Sequence, residues 1–281
     1  MRYKLGLRPV QEQPRVRLAA YYTSDLPSVE SMKFPFGHAN SVEPHMYMND
    51  RLGCCAISGS IEEVRLANAL RGVTVNFTDD QAIANYEAIA GYNPDDPSSD
   101  AGTDVHELFD YRKATGIVDA DGNYHKIVSY AGLTPGDFDE LLVALSLFDM
   151  VGVGIKCPNY VEAQFEAHEP WHLVRGRHPI RGQHYVPVVG ATDKNTAQLY
   201  TWGAEQGITR SFYAAMNVVA VVALTEELFT NGKTPEGIDM AKLAADLPEF
   251  NTGPVMEKAP RRGKKTPDAL AKDWLDDHPN P

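Results

Sequence analysis

Cysteine is scarce in this chain, and its placement cannot staple a fold. Three cysteines in 281 residues, two of them adjacent at Cys54 and Cys55, offer no disulfide framework of the secreted kind. Positive charge is also short. Against 38 acidic residues stand 26 lysines and arginines, a net charge of -12, which excludes the basic footprint that a nucleic-acid or anionic-membrane surface needs. No apolar run reaches the ~20 residues of a membrane span, and Met1 to Leu7 leads into Arg8-Pro9 without a signal-peptide core. The expectation is residence in a reducing cytoplasm, with neither nucleic acid nor membrane as partner. Phosphate chemistry lacks its loop, because Gly190-Ala191-Thr192-Asp193-Lys194 does not have P-loop spacing. Tyr92 to Asp100 is acidic and broken by prolines, but without the alternation and glycine of a calcium loop it reads as a solvated connection. Nothing in the sequence calls for a cofactor.

What is present falls into three stretches. Residues 1–45 carry Pro9, Pro14, Pro27, Pro35 and Pro44 with little periodicity and read as an extended arm lying across the domain, either an inhibitory pro-segment or an arm that clasps a neighbouring subunit, with His38 and His45 as loop histidines. Residues 46–225 hold the ordered pattern. Residues 226–281 suggest short helices around Leu228-Phe229 and Ile238 to Leu247, then a proline-punctuated polar tail with Lys258, Arg261, Arg262, Lys264 and Lys265.

Within the middle stretch the first half is helical and the second mainly β. One helix is expected from Ser58 to about Leu70, another behind the capping box Thr78–Gln81, and a third from Asp104 to Gly116. Phe138 to Phe148 is a further helix. Strands are expected at Val151–Ile155, Tyr185–Val189, Gln198–Trp202 and Val218–Leu224, with Pro187 marking an edge or a bulge.

The chemistry centres on Asn49-Asp50-Arg51-Leu52-Gly53-Cys54-Cys55. A thiol delivered to a helix N-terminus meets the positive end of the macrodipole, which favours the thiolate. The bland alternative is two small buried cysteines, since free cysteine is among the most buried residue types. A thiol nucleophile also needs a base within hydrogen-bond reach, and His184, opening the run Gly182 to Gly190, is the candidate.

These stretches resemble the papain-like cysteine peptidases. Gly53 and Cys55 match the glycine and nucleophile of that family's turn, and Asn49 stands where the family has an oxyanion-hole glutamine. His184 matches the base at the start of the histidine strand, and Thr201-Trp202-Gly203 matches the tail of the motif whose tryptophan packs over the triad. The departure is Tyr200, which by counting occupies the place of the orienting asparagine; Thr201 and Asp193 are the other candidates for that role. Stand-alone papain-like proteins of actinobacterial phages and bacteria, with Asn-Asp-Arg-Tyr-Gly-Asp-Cys stretches, are similar too. The resemblance implies an α+β papain-like fold, a helical half bearing the nucleophile packed on a β-barrel-like half, with the active site in the cleft between them.

Three functions follow. The first is a cysteine hydrolase acting on a peptide or amide. The second is a papain-like structural protein of a phage particle, located in the virion or host cytoplasm, with the arm and tail binding an assembly partner; Tyr200 is its best support. The third is a metal-binding protein built on His168, His172 and His178, although Pro170 breaks the helix that would align the first two. Cys157 and Trp171 read as packing residues.

Overall fold

A computed structural model describes residues 3–14, 17–18 and 27–225. The C-terminal stretch 226–281, including the helices expected within it, lies outside the described residues. After a short strand β1 (Phe36–Gly37), three helices follow, α1 (Cys55–Ala69), α2 (Asp79–Ala90) and α3 (Val105–Ala114), then a hairpin of β2 (Ile117–Val118) and β3 (Tyr124–His125). The second half runs β4 (Ile127–Gly132), α4 (Phe138–Phe148), β5 (Val151–Pro158), α5 (Val161–Glu166), β6 (Ile180–Asp193), β7 (Thr196–Thr201), β8 (Ala204–Thr209), α6 (Arg210–Met216) and β9 (Asn217–Thr225).

Local chemistry starts the helices where the sequence places them. Thr78 and Gln81 close a capping box at α2, which ends at Gly91 with φ +71°. Asp104 accepts from the amides of His106 and Glu107 at α3, and Asp137 from those of Asp139 and Glu140 at α4. α1 begins three residues earlier than the expected Ser58. Ser58 lies inside its first turn, with Oγ on the carbonyls of Tyr47 and Cys54. The chain reverses just before this helix through Tyr47 and Met48, both left-handed, with φ 46° and 64°.

The sheet is antiparallel, ordered β4-β9-β5-β6-β7-β8, with β1 pairing onto β6. Pro187 lies in an interior strand, beside an irregularity of the β6–β7 register between Val188 and Gly190, so of the expected edge or bulge it is the bulge that fits. It is tolerated because the β6–β7 register ends at Val188↔Leu199, leaving Pro187 paired only to Gly152 of β5. Alternation along β9 divides the interior. Val219, Val221 and Ala223 join α1, α2 and α3 in one apolar cluster, while Ala220, Val222 and Leu224 join α4, Trp171 and Trp202 in another. The sheet is therefore covered on both faces, which accounts for the unbroken apolar run of β9.

The β2–β3 hairpin puts Ile117 into the cluster that holds Cys55. Its turn hangs on Asp119, which accepts from the Asp121 and Asn123 amides and contacts His125 Nε2 at 3.0 Å. Burial pushes the Asp119 carboxyl up, but hydrogen bonds from His125 and Asn123 outweigh it and hold it below the ordinary carboxylate value. A depressed folded value means stability present above the unfolded value near pH 3.9 and lost as pH falls through the folded one. Asp119→Asn should flatten the acid limb of the stability profile, read as urea midpoints between pH 5 and 2.

Candidate active site

α1 and β6 bring the two predicted groups together. Cys55 is the first residue of α1, whose opening amides have no intrahelical partner. His184 stands on β6 opposite Ile155 of β5. Both are 1% exposed and both line one small cavity of about 20 Å³, room for a water and little more. The Tyr185 backbone N–H donates to Cys55 Sγ at 3.4 Å, so the residue after His184 touches the Cys55 thiol directly.

The imidazole is fixed on one side and open on the other. Its Nε2 lies 2.7 Å from Thr201 Oγ1, while Nδ1 is buried with no hydrogen-bond partner among the described residues. Trp202 stacks on the ring at 4.8 Å and 26°. The turn Trp202-Gly203, with φ 46° and 73°, presents that indole. Gly203 also passes close to the backbone of His45 and Met46.

The other expected residues fall in different places. Tyr200 lines the cavity, but its hydroxyl donates to the carbonyls of His38 and Ala39 at 2.9 and 2.7 Å, not to His184. Asp193 ends β6, nine residues beyond His184, and accepts from the Asn195 amide. Asn49 lines the cavity, with Nδ2 donating to Leu52 O at 3.1 Å and to Lys4 O at 3.5 Å. Gly53 donates its N–H to Asp100 at 2.8 Å, tying the acidic loop to the nucleophile turn. Glu62, which sequence reading missed, sits on the same wall, its carboxylate on Arg65 and the His45 amide. Burial, opposed by Arg65, pushes it up to about 7. It recurs seven residues after Cys55, two turns along α1, and that spacing was its only signal in the sequence.

The three histidines proposed for metal do not form a centre. His172 and His178 hydrogen-bond to the backbone carbonyls of Pro170 and Arg175, and no metal-holding group of three side chains occurs among the described residues. Trp171 is buried, donating to Val161 O at 3.0 Å.

The cleft is filled by the chain's own N-terminal stretch. Lys4 donates its N–H to Asn49 O, Thr103 donates to Gly6 O, Leu7 donates to Gln183 O, and Arg8 donates to Thr103 O, all between 2.7 and 3.2 Å. Residues 4–8 thus bridge the helical half at Thr103 and the β half at Gln183. Leu7, 5% exposed, enters a slot beside Gly154 and Val219, where a Cβ on Gly154 would lie 2.6 Å from it. Tyr3 stacks on Trp202 at 4.7 Å. Gly6 has no room for a side chain, since a Cβ there would sit 1.7 Å from Gly53 O.

Burial sets the electrostatics of both groups. Burial raises the Cys55 thiol to about 11, against the lowering effect of amides from Tyr185, Gly6 and its own helix turn. Burial alone drives His184 down to about 3. The closed site is therefore a neutral thiol beside a neutral imidazole.

The architecture defines a class. The α+β fold is papain-like, with the thiol on the helical side of the cleft and the imidazole on the β side. The particular structures it is similar to are cysteine proteases. Xylellain, a cysteine protease from Xylella fastidiosa, superposes with a TM-score of 0.63 at 14% identity, covering 80% of this chain and 97% of that one. Procathepsin L 3 of Tenebrio molitor larval midgut gives 0.54 at 16% identity, covering 77% of this chain and 76% of that one. Procathepsin B of Trypanosoma congolense gives 0.53 at 11% identity, covering 80% and 87%. No family model matches the sequence, and no curated protein is similar to it in sequence.

At pH 7 all three thiols of the native full-length chain should alkylate at least a hundredfold more slowly than in urea. Burial raises Cys54 to about 12 and Cys157 further, alongside Cys55. Leu7→Asp puts a charge into an apolar slot and should displace the strap, speeding labelling of Cys55 at least tenfold while Cys54 and Cys157 stay slow, as read by peptide mapping.

Proposed function

We propose that the protein is a cysteine hydrolase, a peptidase or amidase, and that residues 3–8 hold it closed. The observation that carries this is the shared cavity of Cys55 and His184, with the imidazole held through Nε2 and its Nδ1 left without a partner. The tautomer that leaves Nδ1 as base puts the proton on Nε2, where Thr201 Oγ1 accepts it. Thr201 thereby takes the orienting role that counting from Trp202 gave to Tyr200.

In the reaction, the Cys55 proton passes to His184 Nδ1 and the thiolate adds to the acyl carbon. The Cys55 amide and Asn49 Nδ2 hold the resulting oxyanion, with Asn49 giving up its long 3.5 Å contact to Lys4 O. The imidazolium protonates the departing amine as the carbon–nitrogen bond breaks, leaving a thioester. Water, deprotonated by the same nitrogen, adds to that thioester, and the thiol leaves with the proton. The fold shared with cysteine proteases supports the same chemistry.

The test uses the full-length chain with Leu7→Asp. At pH 6 an unperturbed thiol is almost wholly protonated, so fast labelling of Cys55 that falls at least tenfold in His184→Ala is the expected result. Equal labelling with and without the imidazole would sink the catalytic reading. Thr201→Val should lower peptide or amide hydrolysis by the ~10- to 100-fold typical of a lost general-base orientation, measured as kcat on a mixed peptide library, while Cys55→Ser abolishes it.

A further inference from the structure

We propose that Tyr185, locked by a buried Glu63–Arg112 pair, is the positioning residue that sets the separation of the thiol and the imidazole. This rests on the hydrolase reading above. Tyr185 follows His184 in β6, and its main chain and side chain engage the same helix at two points. The backbone N–H meets Cys55 Sγ at 3.4 Å. Two turns further along α1, Glu63 Oε1 accepts from the Tyr185 hydroxyl at 2.7 Å. One residue of the β half therefore spans the helix from the nucleophile to a carboxylate eight residues on, and register between the halves is fixed by two bonds instead of one.

The surroundings are shaped for that phenol. On α1, a Cβ at Gly59 would fall 2.8 Å from Tyr185 Cδ1, and on β5, a Cβ at Gly152 would fall 1.8 Å from its hydroxyl. Glycines on two separate elements are thus cleared for one side chain. Glu63 Oε2 takes Arg112 Nη1 at 2.5 Å, and the same nitrogen reaches Ser60 Oγ at 3.3 Å. Both charged side chains are 1% exposed, and α3 supplies the cation. Burial and the adjoining carboxylate raise Tyr185 well above the ordinary phenol range, so it stays a donor. The hydrolase mechanism uses neither Glu63, Arg112 nor the hydroxyl; positioning is the role that accounts for a charged pair placed behind the site.

The test measures Cys55 alkylation by iodoacetamide in full-length Leu7→Asp, with and without Tyr185→Phe, at pH 6 and at pH 10.5. Losing the hydroxyl should slow labelling at pH 6 by fivefold or more, because the thiolate there exists only through the imidazole. At pH 10.5, where solvent alone ionises much of the thiol, the rates should agree within twofold. A purely structural role predicts the opposite pattern, faster labelling at both pH values from looser packing, and that result or an unchanged pH 6 rate would overturn the inference. Gly59→Ala provides a second variant, since it crowds the Tyr185 ring while improving helix propensity; the same loss at pH 6 is expected, and none would count against the proposal. If Cys55 labelling does not depend on His184 in Leu7→Asp itself, the hydrolase reading fails and this inference with it. Dependence on His184 combined with indifference to Tyr185→Phe and Gly59→Ala overturns the positioning role alone.

Discussion

A helix buried on nearly every side has to satisfy its polar groups with protein partners, and α1 meets that requirement residue by residue. From Cys55 to Asn68 only Arg65 is more than slightly exposed. Ser58 turns back to Tyr47 and Cys54, Asn68 to Val64, Glu62 to Arg65 and His45, and Glu63 to Arg112 and Tyr185. The bonds to Tyr47, His45, Arg112 and Tyr185 are also tethers to other parts of the chain. Removing one partner of a buried pair such as Glu63–Arg112 leaves a charge without solvent, at a cost of about 3–5 kcal/mol. The helix that carries the thiol is thus held in place by the partners its own polar residues require.

The strap changes what that placement means chemically. Residues 4–8 bridge Thr103 and Gln183, and the thiol and imidazole are both buried, so desolvation moves their proton affinities apart in the direction that keeps both neutral. The same groups, once hydrated, regain the option of an ion pair, because the amides of Tyr185 and of the first helical turn already favour the thiolate. On the hydrolase reading proposed above, covering the cleft would do two things at once: exclude a substrate and keep the thiol protonated. Gly6 and Gly53 make this possible, since the two backbones cross where no side chain fits.

The turn before α1, the capped helices and the strand through His184 were legible because each is a local signal, written in caps, glycines and periodicity, although that strand opens at Ile180, four residues before His184, and runs on to Asp193. The papain-like fold followed from their order. The strap was not legible. Its backbone hydrogen bonds go to Asn49, Thr103 and Gln183, between 45 and 176 residues away in sequence, and proline content described the arm without saying what it lies on. Pro187 left edge and bulge open for a related reason, since whether a strand is interior depends on neighbours that diverge beyond Val188↔Leu199. Nothing local in the sequence marks Glu63 or Arg112 as buried, since their pairing joins residues of α1 and α3 that are 49 apart in the chain.

The orienting residue shows how one position of register carries chemical weight. Neighbouring residues on a strand face opposite ways, so Tyr200 and Thr201 were never alternatives for the same partner. Tyr200 points to the cluster of Ala39, Leu66, Ala67, Met150 and Val189, where its hydroxyl finds two carbonyls. Thr201, at the last position of β7, points to His184. A threonine hydroxyl supplies what the imidazole needs on that side, one acceptor for the Nε2 proton at 2.7 Å, without the amide of an asparagine. It cannot stabilise an imidazolium as a carboxylate would, so an ion pair built on it must draw on the helix amides beside the sulfur. A tyrosine at the counted position is therefore weak grounds for an inactive site, because on the hydrolase reading proposed above the next residue, Thr201, whose hydroxyl lies 2.7 Å from His184 Nε2, takes the role.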